Sequence, residues 1–166
     1  MIIDRQNLFN PLGDGLTGAT NGGQQNIRAA ATYLSTDQID LSQIAVASGV
    51  VWDWGVGESP YLVIRVGDAF VGGTNVTINL LSADVAPGMT GNPTTHFTTG
   101  AVATASLTAT TEIVRVRLPS AAYRRFLAVQ YVSTGIYTAG GIDAMLVLGL
   151  QRAPQMPSGF RLPAAV

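Results

Sequence analysis

The stretch Thr74-Asn75-Val76-Thr77-Ile78-Asn79-Leu80-Leu81 sets Val76, Ile78 and Leu80 at alternate positions against Thr77 and Asn79. Successive side chains of a strand point to opposite faces, so this is the period-two signature of a strand with one face buried and one wet. The same period returns at Glu112 to Leu118, where Val114, Val116 and Leu118 oppose Arg115 and Arg117. It returns again at Arg125 to Val132, where Leu127, Val129 and Tyr131 alternate with Ala128 and Gln130. Ile142 to Leu150 is apolar on both faces, as a central strand would be. Ile27 to Leu34, Ile39 to Ala47, Pro60 to Val66 and Ala101 to Leu107 are further strand candidates, which makes seven or eight in all.

Between these runs lie turn formers: Val66-Gly67-Asp68, Val71-Gly72-Gly73, Pro87 to Pro93, Ser133-Thr134-Gly135 and Ala139-Gly140-Gly141. Many short strands with glycine-rich turns and no amphipathic helix argue for an all-β sandwich or barrel. Pro119 to Arg124 has the composition of one helical turn, with proline at its start. Residues 10 to 26 are almost all turn formers and read, with residues 1 to 9, as an N-terminal arm and glycine-rich loop. Residues 27 to 150 then form one sandwich domain. Residues 151 to 166 contain Pro154, Pro157 and Pro163, which a sheet ladder excludes, and read as an extended tail.

Composition narrows the function. Charged residues make up 11% of the chain against the usual quarter or so. Mean hydropathy is +0.30, yet no window approaches the ~20 apolar residues of a spanning helix. A neutral surface of this kind suits a protein that hides much of itself in an assembly. The nine basic residues are all arginine and the net charge is -1, so nothing here displaces counterions from phosphates and no nucleic-acid partner is expected. There is no cysteine, hence no disulfide and no thiolate metal site. The first residues lack the basic and apolar regions of a signal peptide, and Asn75-Val76-Thr77 reads as a chance sequon.

No catalytic pattern emerges. The single histidine, His96, has no second histidine or cysteine for a metal, and a nucleophilic triad would have only that one base. The ten acids are scattered singly along the chain. Gly55-Val56-Gly57 leads into Pro60 and a strand, whereas a phosphate-cradling loop opens a helix. Trp52 and Trp54 flank Asp53 and read either as caps over the end of the sandwich or as a contact to a partner. No enzyme activity, cofactor or metal is expected.

Several segments, taken in order, resemble a family of tailed-bacteriophage capsid cement (decoration) proteins. They are Asp4 to Phe9, Ile39-Asp40-Leu41, Gly55-x-Gly57-Glu58-x-Pro60-Tyr61-Leu62-Val63, Tyr123 to Leu127, and Pro157-Ser158-Gly159-Phe160. The glycine-rich insertion at 10 to 26 and the residues after Phe160 depart from the family pattern. The resemblance implies an antiparallel jelly roll on the outer surface of an icosahedral head, whose major capsid protein has the HK97-like fold. It also implies a homo-oligomer, a dimer as first choice and a trimer as second, with no membrane partner. Candidate contacts are Ile2, Arg5, Leu8 and Phe9 in the arm, Trp52 and Trp54, and Phe160 and Arg161 in the tail. The alternatives are a carbohydrate-binding module, in which exposed tryptophans stack on sugar, or a tail or receptor-binding component of the particle.

Overall fold

The computed structural model describes residues 8–10, 24–41, 60–119 and 121–147. Nine strands occur in these segments: β1 (Gln25–Asn26), β2 (Thr32–Leu34), β3 (Ile39–Asp40), β4 (Tyr61–Gly72), β5 (Asn75–Ala83), β6 (Thr94–Ala103), β7 (Glu112–Arg117), β8 (Phe126–Thr134) and β9 (Tyr137–Val147). One sheet runs β1-β9-β4-β7, and the other runs β2-β8-β5-β6 with β3 continuing along β8 beside β2. Every pairing is antiparallel. With β2 and β3 sharing one position, this is the eight-position jelly roll, in which most connections cross between the two sheets and bring the first strand beside the last.

The alternation read from the sequence sets the core. Leu62, Ile64 and Val66 of β4, Val76, Ile78 and Leu80 of β5, Leu127, Val129 and Tyr131 of β8, and Ile142, Ala144 and Leu146 of β9 meet between the sheets. Two smaller clusters lie on the outer faces. Leu8, Val63, Met145 and Val147 gather on the first sheet. Leu81, Ala83 and Ala128 lie on the second, under Met89 of the 84–93 loop.

Phe9 is fully buried in the main core, and its neighbour Leu8 bridges Met145 of β9. The Phe9 N–H donates to the Ala144 carbonyl at 3.1 Å, its carbonyl accepts from the Asp37 N–H at 2.9 Å, and Asn10 Nδ2 donates to the Ile142 carbonyl at 2.8 Å. Residues 8–10 therefore extend the sheet edge that β1 occupies beside β9, and they belong to the sandwich. The Asn10 side chain faces the hydroxyl of the fully buried Tyr131, but among the described residues neither Asn10 Oδ1 nor that hydroxyl has a partner in hydrogen-bond geometry. A buried hydroxyl without a partner costs free energy that a phenyl ring avoids. Tyr131→Phe is accordingly expected to raise stability by about 1 kcal/mol, read from urea unfolding; a loss would show that the hydroxyl is satisfied.

Some local expectations are corrected. Val66-Gly67-Asp68 is no turn but a register shift inside β4. Gly67 and Gly141 together leave a notch filled by the Gln24 side chain, whose atoms would lie 2.1 and 2.0 Å from a Cβ at either position. Ala139-Gly140-Gly141 likewise runs within β9. Thr94–Gly100, which has no apolar alternation, forms most of β6, because this edge strand turns only Phe97 and Val102 toward the core. The segment from Pro119 to Arg124 is not helical at its described residues. Ile27 to Leu34 is a strand only at Thr32–Leu34, after a bend, and Ile39 to Ala47 is a strand only at Ile39–Asp40, with residues 42–47 outside the described residues. The expected tail, residues 151–166, also lies outside them.

Candidate interaction surfaces

The register places the loops in two groups at opposite ends of the sandwich. Gly72 of β4 pairs with Tyr137, and Asn75 of β5 pairs with Thr134 and Ala103. The first end thus gathers residues 27–31, 71–74, 104–111 and 135–136. Hydrogen bonds knit them together: Thr74 N–H to the Thr134 carbonyl at 2.8 Å, Thr104 N–H to the Thr74 carbonyl at 3.0 Å, and Tyr137 N–H to the Arg28 carbonyl at 3.0 Å. The Tyr137 hydroxyl closes the group from below by donating to the Asn75 carbonyl at 2.7 Å.

The side chains of this end are small or apolar. Ile136 is 75% exposed and Val71 54% exposed, and Ala29, Ala30, Ala31, Ala105 and Ala109 are also exposed. Arg28 is the one charged residue in the four loops, and its guanidinium turns back onto the Gly140 carbonyl at 2.9 Å and the Ile27 carbonyl at 3.3 Å.

The opposite end carries charge in pairs. Arg124 holds Asp84 through Nη1, at 3.0 and 2.9 Å to the two carboxylate oxygens, and Arg125 holds Asp40 at 2.9 Å. Hydrogen bonds from Asn92 and from Arg124 keep the Asp84 carboxyl below its ordinary range. On the outer face of the first sheet, Arg65 pairs with Asp143 at 3.1 Å and Arg115 with Glu112. Burial raises the Asp143 carboxyl against the opposing pull of Arg65.

One polar arrangement at the charged end resembles chemistry. Ser82 Oγ lies 2.7 Å from His96 Nε2, and the Arg124 N–H donates to the same hydroxyl at 3.1 Å. Which of the two atoms donates follows the imidazole tautomer, since the hydroxyl has a second lone pair as well as its proton to offer Nε2. This is no working nucleophile. Ser82 is fully buried, and Asp84, two residues on, is engaged by Arg124 and Asn92. Instead the group fastens the segment before β8 onto β5 and β6, with the Tyr123 ring 4.4 Å from the imidazole. Burial pushes the Tyr123 hydroxyl up to about 12.

The same burial lowers the His96 pKa below 6.5. The unfolded chain then binds the proton more readily than the folded one, so the stability His96 contributes is complete above the unfolded value and is lost as pH falls through the folded one. The melting temperature is therefore expected to fall between pH 7 and pH 5 more steeply in the wild type than in His96→Gln. Parallel curves would show that His96 does not titrate in that window.

Of the contact residues expected from the sequence, the structure describes two. Leu8 and Phe9 are buried in the protein's own sandwich, so the contact expectation moves off them, because hydrophobic burial within the chain has already used their side chains. Ile2, Arg5, Trp52, Trp54, Phe160 and Arg161 lie outside the described residues. The neutral loop end went unread, because its residues come from four turn segments that no sequence window shows together. The exposed Ile136, next to Gly135 in a turn, was the one local sign. Among the described residues no three acidic or histidine side chains gather as metal ligands, and no helix is long and apolar enough to cross a membrane.

A family model, Bbp16, matches residues 23–146, and its designation suggests a phage-derived protein. No curated protein matches the chain.

Proposed function

This chain belongs to the Bbp16 family, and on that footing we propose that it is a structural protein of a phage virion. In this reading it is a cement or decoration protein that binds the outer surface of the head after expansion and holds neighbouring major capsid subunits of HK97-like fold together. The observation that carries the reading is the match of a family with a phage-like name to a jelly roll, an architecture used repeatedly in capsids. The order of short motifs that resembles cement proteins supports it. A protein that binds only the assembled shell stabilises that state by mass action, and contact with more than one subunit means that several interfaces must break together. The protein acts as a homo-oligomer, a dimer first, and breaks no bond in any substrate.

The test is to prepare heads without the protein, add it back, and measure the temperature at which packaged DNA is released. Bound protein is expected to raise that temperature. Heads that take up the protein yet release DNA at an unchanged temperature would overturn the cement reading.

A further inference from the structure

We propose that the neutral loop end, built from residues 27–31, 71–74, 104–111 and 135–136, is the face that docks on the shell, against an uncharged and apolar patch of the capsid subunits' outer surface; this rests on the cement reading above. Three observations converge on it. The first is charge: Arg28 is the only ionic side chain in these loops and its guanidinium is bonded to backbone carbonyls. A polyanion or an anionic membrane surface finds one cation there and no basic patch, whereas the core of a protein interface is depleted in charge. The second is exposure: Ile136 and Val71 are two of the three large hydrophobics that stand out to solvent among the described residues. They belong to neighbouring turns, since the Ile136 carbonyl lies against Gly72. The third is rigidity. The backbone hydrogen bonds from Thr74, Thr104 and Tyr137 hold the loops in place before any partner arrives, so docking orders little new structure.

The opposite end suits the solvent side, because its ions Asp84, Arg124, Asp40 and Arg125 are already paired within the chain. Self-association through the neutral end would bury the main exposed apolar surface among the described residues inside the oligomer and leave the ion-paired end to meet the shell, whereas interface cores are depleted in charge. A second copy is therefore the less fitting occupant.

Full-length protein carrying Ile136→Glu, or Val71→Glu, is to be compared with Val85→Glu, which places the same charge on a 50% exposed valine at the other end. The readouts are copies bound to heads lacking the protein, melting temperature, and oligomeric state by analytical ultracentrifugation. Each neutral-end variant is expected to weaken head binding at least about tenfold, with melting temperature and oligomeric state unchanged, while Val85→Glu binds as the wild type does. Ile136→Ser serves in place of the glutamate should that variant fail to fold, and is expected to shift binding in the same direction. Equal binding by all variants overturns the assignment of this end. So does a loss confined to Val85→Glu, or a neutral-end variant that dissociates the oligomer, which would make the occupant a second copy. Wild-type protein that does not bind heads at all overturns the cement reading itself, a distinct result.

Discussion

Phe9→Ala is expected to lower the free energy of unfolding by about 3–5 kcal/mol, a large part of the ~5–15 kcal/mol that holds a domain of this kind together. The ring is fully buried in the main cluster, and its backbone is tied on both sides, to Ala144 of β9 and to Asp37. Truncation to alanine leaves a cavity whose walls are strands fixed by their own ladders, so the site cannot collapse to fill it. Urea unfolding followed by far-ultraviolet circular dichroism reads the effect directly. Phe9→Leu, which returns most of the volume, is expected to lose clearly less. A loss under about 1 kcal/mol for the alanine variant would mean that residues 8–10 do not dock as described. The prediction bears on how the domain is defined, because the family match begins at residue 23 while Phe9 is core. A truncated protein starting at residue 23 is expected to show a loss at least as large.

The second large effect is expected at Gly135→Ala, about 3 kcal/mol of destabilisation. Gly135 has φ +92, where an L side chain is strained, and a Cβ there would sit 2.9 Å from the Gly73 Cα and 3.3 Å from the Thr74 nitrogen. Backbone atoms cannot rotate aside as a side chain can, so the β8–β9 and β4–β5 turns would have to part. Gly100→Ala separates the two contributions: Gly100 has φ +68 but nothing within 4 Å of its Cβ position. Its substitution is expected to cost only the conformational part, about 1–2 kcal/mol. Equal losses at the two positions, measured by the same unfolding curves, would show that the turns are not in contact. Because those turns carry Val71 and Ile136, Gly135→Ala should also disturb the surface proposed to meet the shell, which Gly100→Ala leaves alone.

The strands with one buried face were legible because alternation is a local property of the chain. Val76, Ile78 and Leu80, or Leu127, Val129 and Tyr131, announce the inward face with no knowledge of what they pack against. The glycine clusters at 66–68 and 139–141 misled for the converse reason. A glycine in sequence says only that a side chain is absent, and the cause here is the Gln24 side chain filling the notch beside Gly67 and Gly141. Thr94–Gly100 was silent because an edge strand needs little apolar pattern when its neighbour supplies the ladder. The Ser82–His96 pair and the ion pair between Asp40 and Arg125 join residues 14 and 85 positions apart, distances over which sequence carries no geometry.

What the chain by itself determined is therefore its class: an all-β domain, neutral, without cysteine or a basic patch, its strands marked by period-two burial of valine, isoleucine and leucine. The jelly-roll order itself had entered only through the resemblance. Tertiary structure decided that order, and with it that Leu8 and Phe9 serve the protein's own sandwich and that four separate turns make one end with a single charged residue opposite an end rich in ion pairs. The physical reason is that burial alternation depends on neighbours along the chain, whereas strand order and the meeting of loops depend on hydrogen-bonded pairings between residues far apart in it.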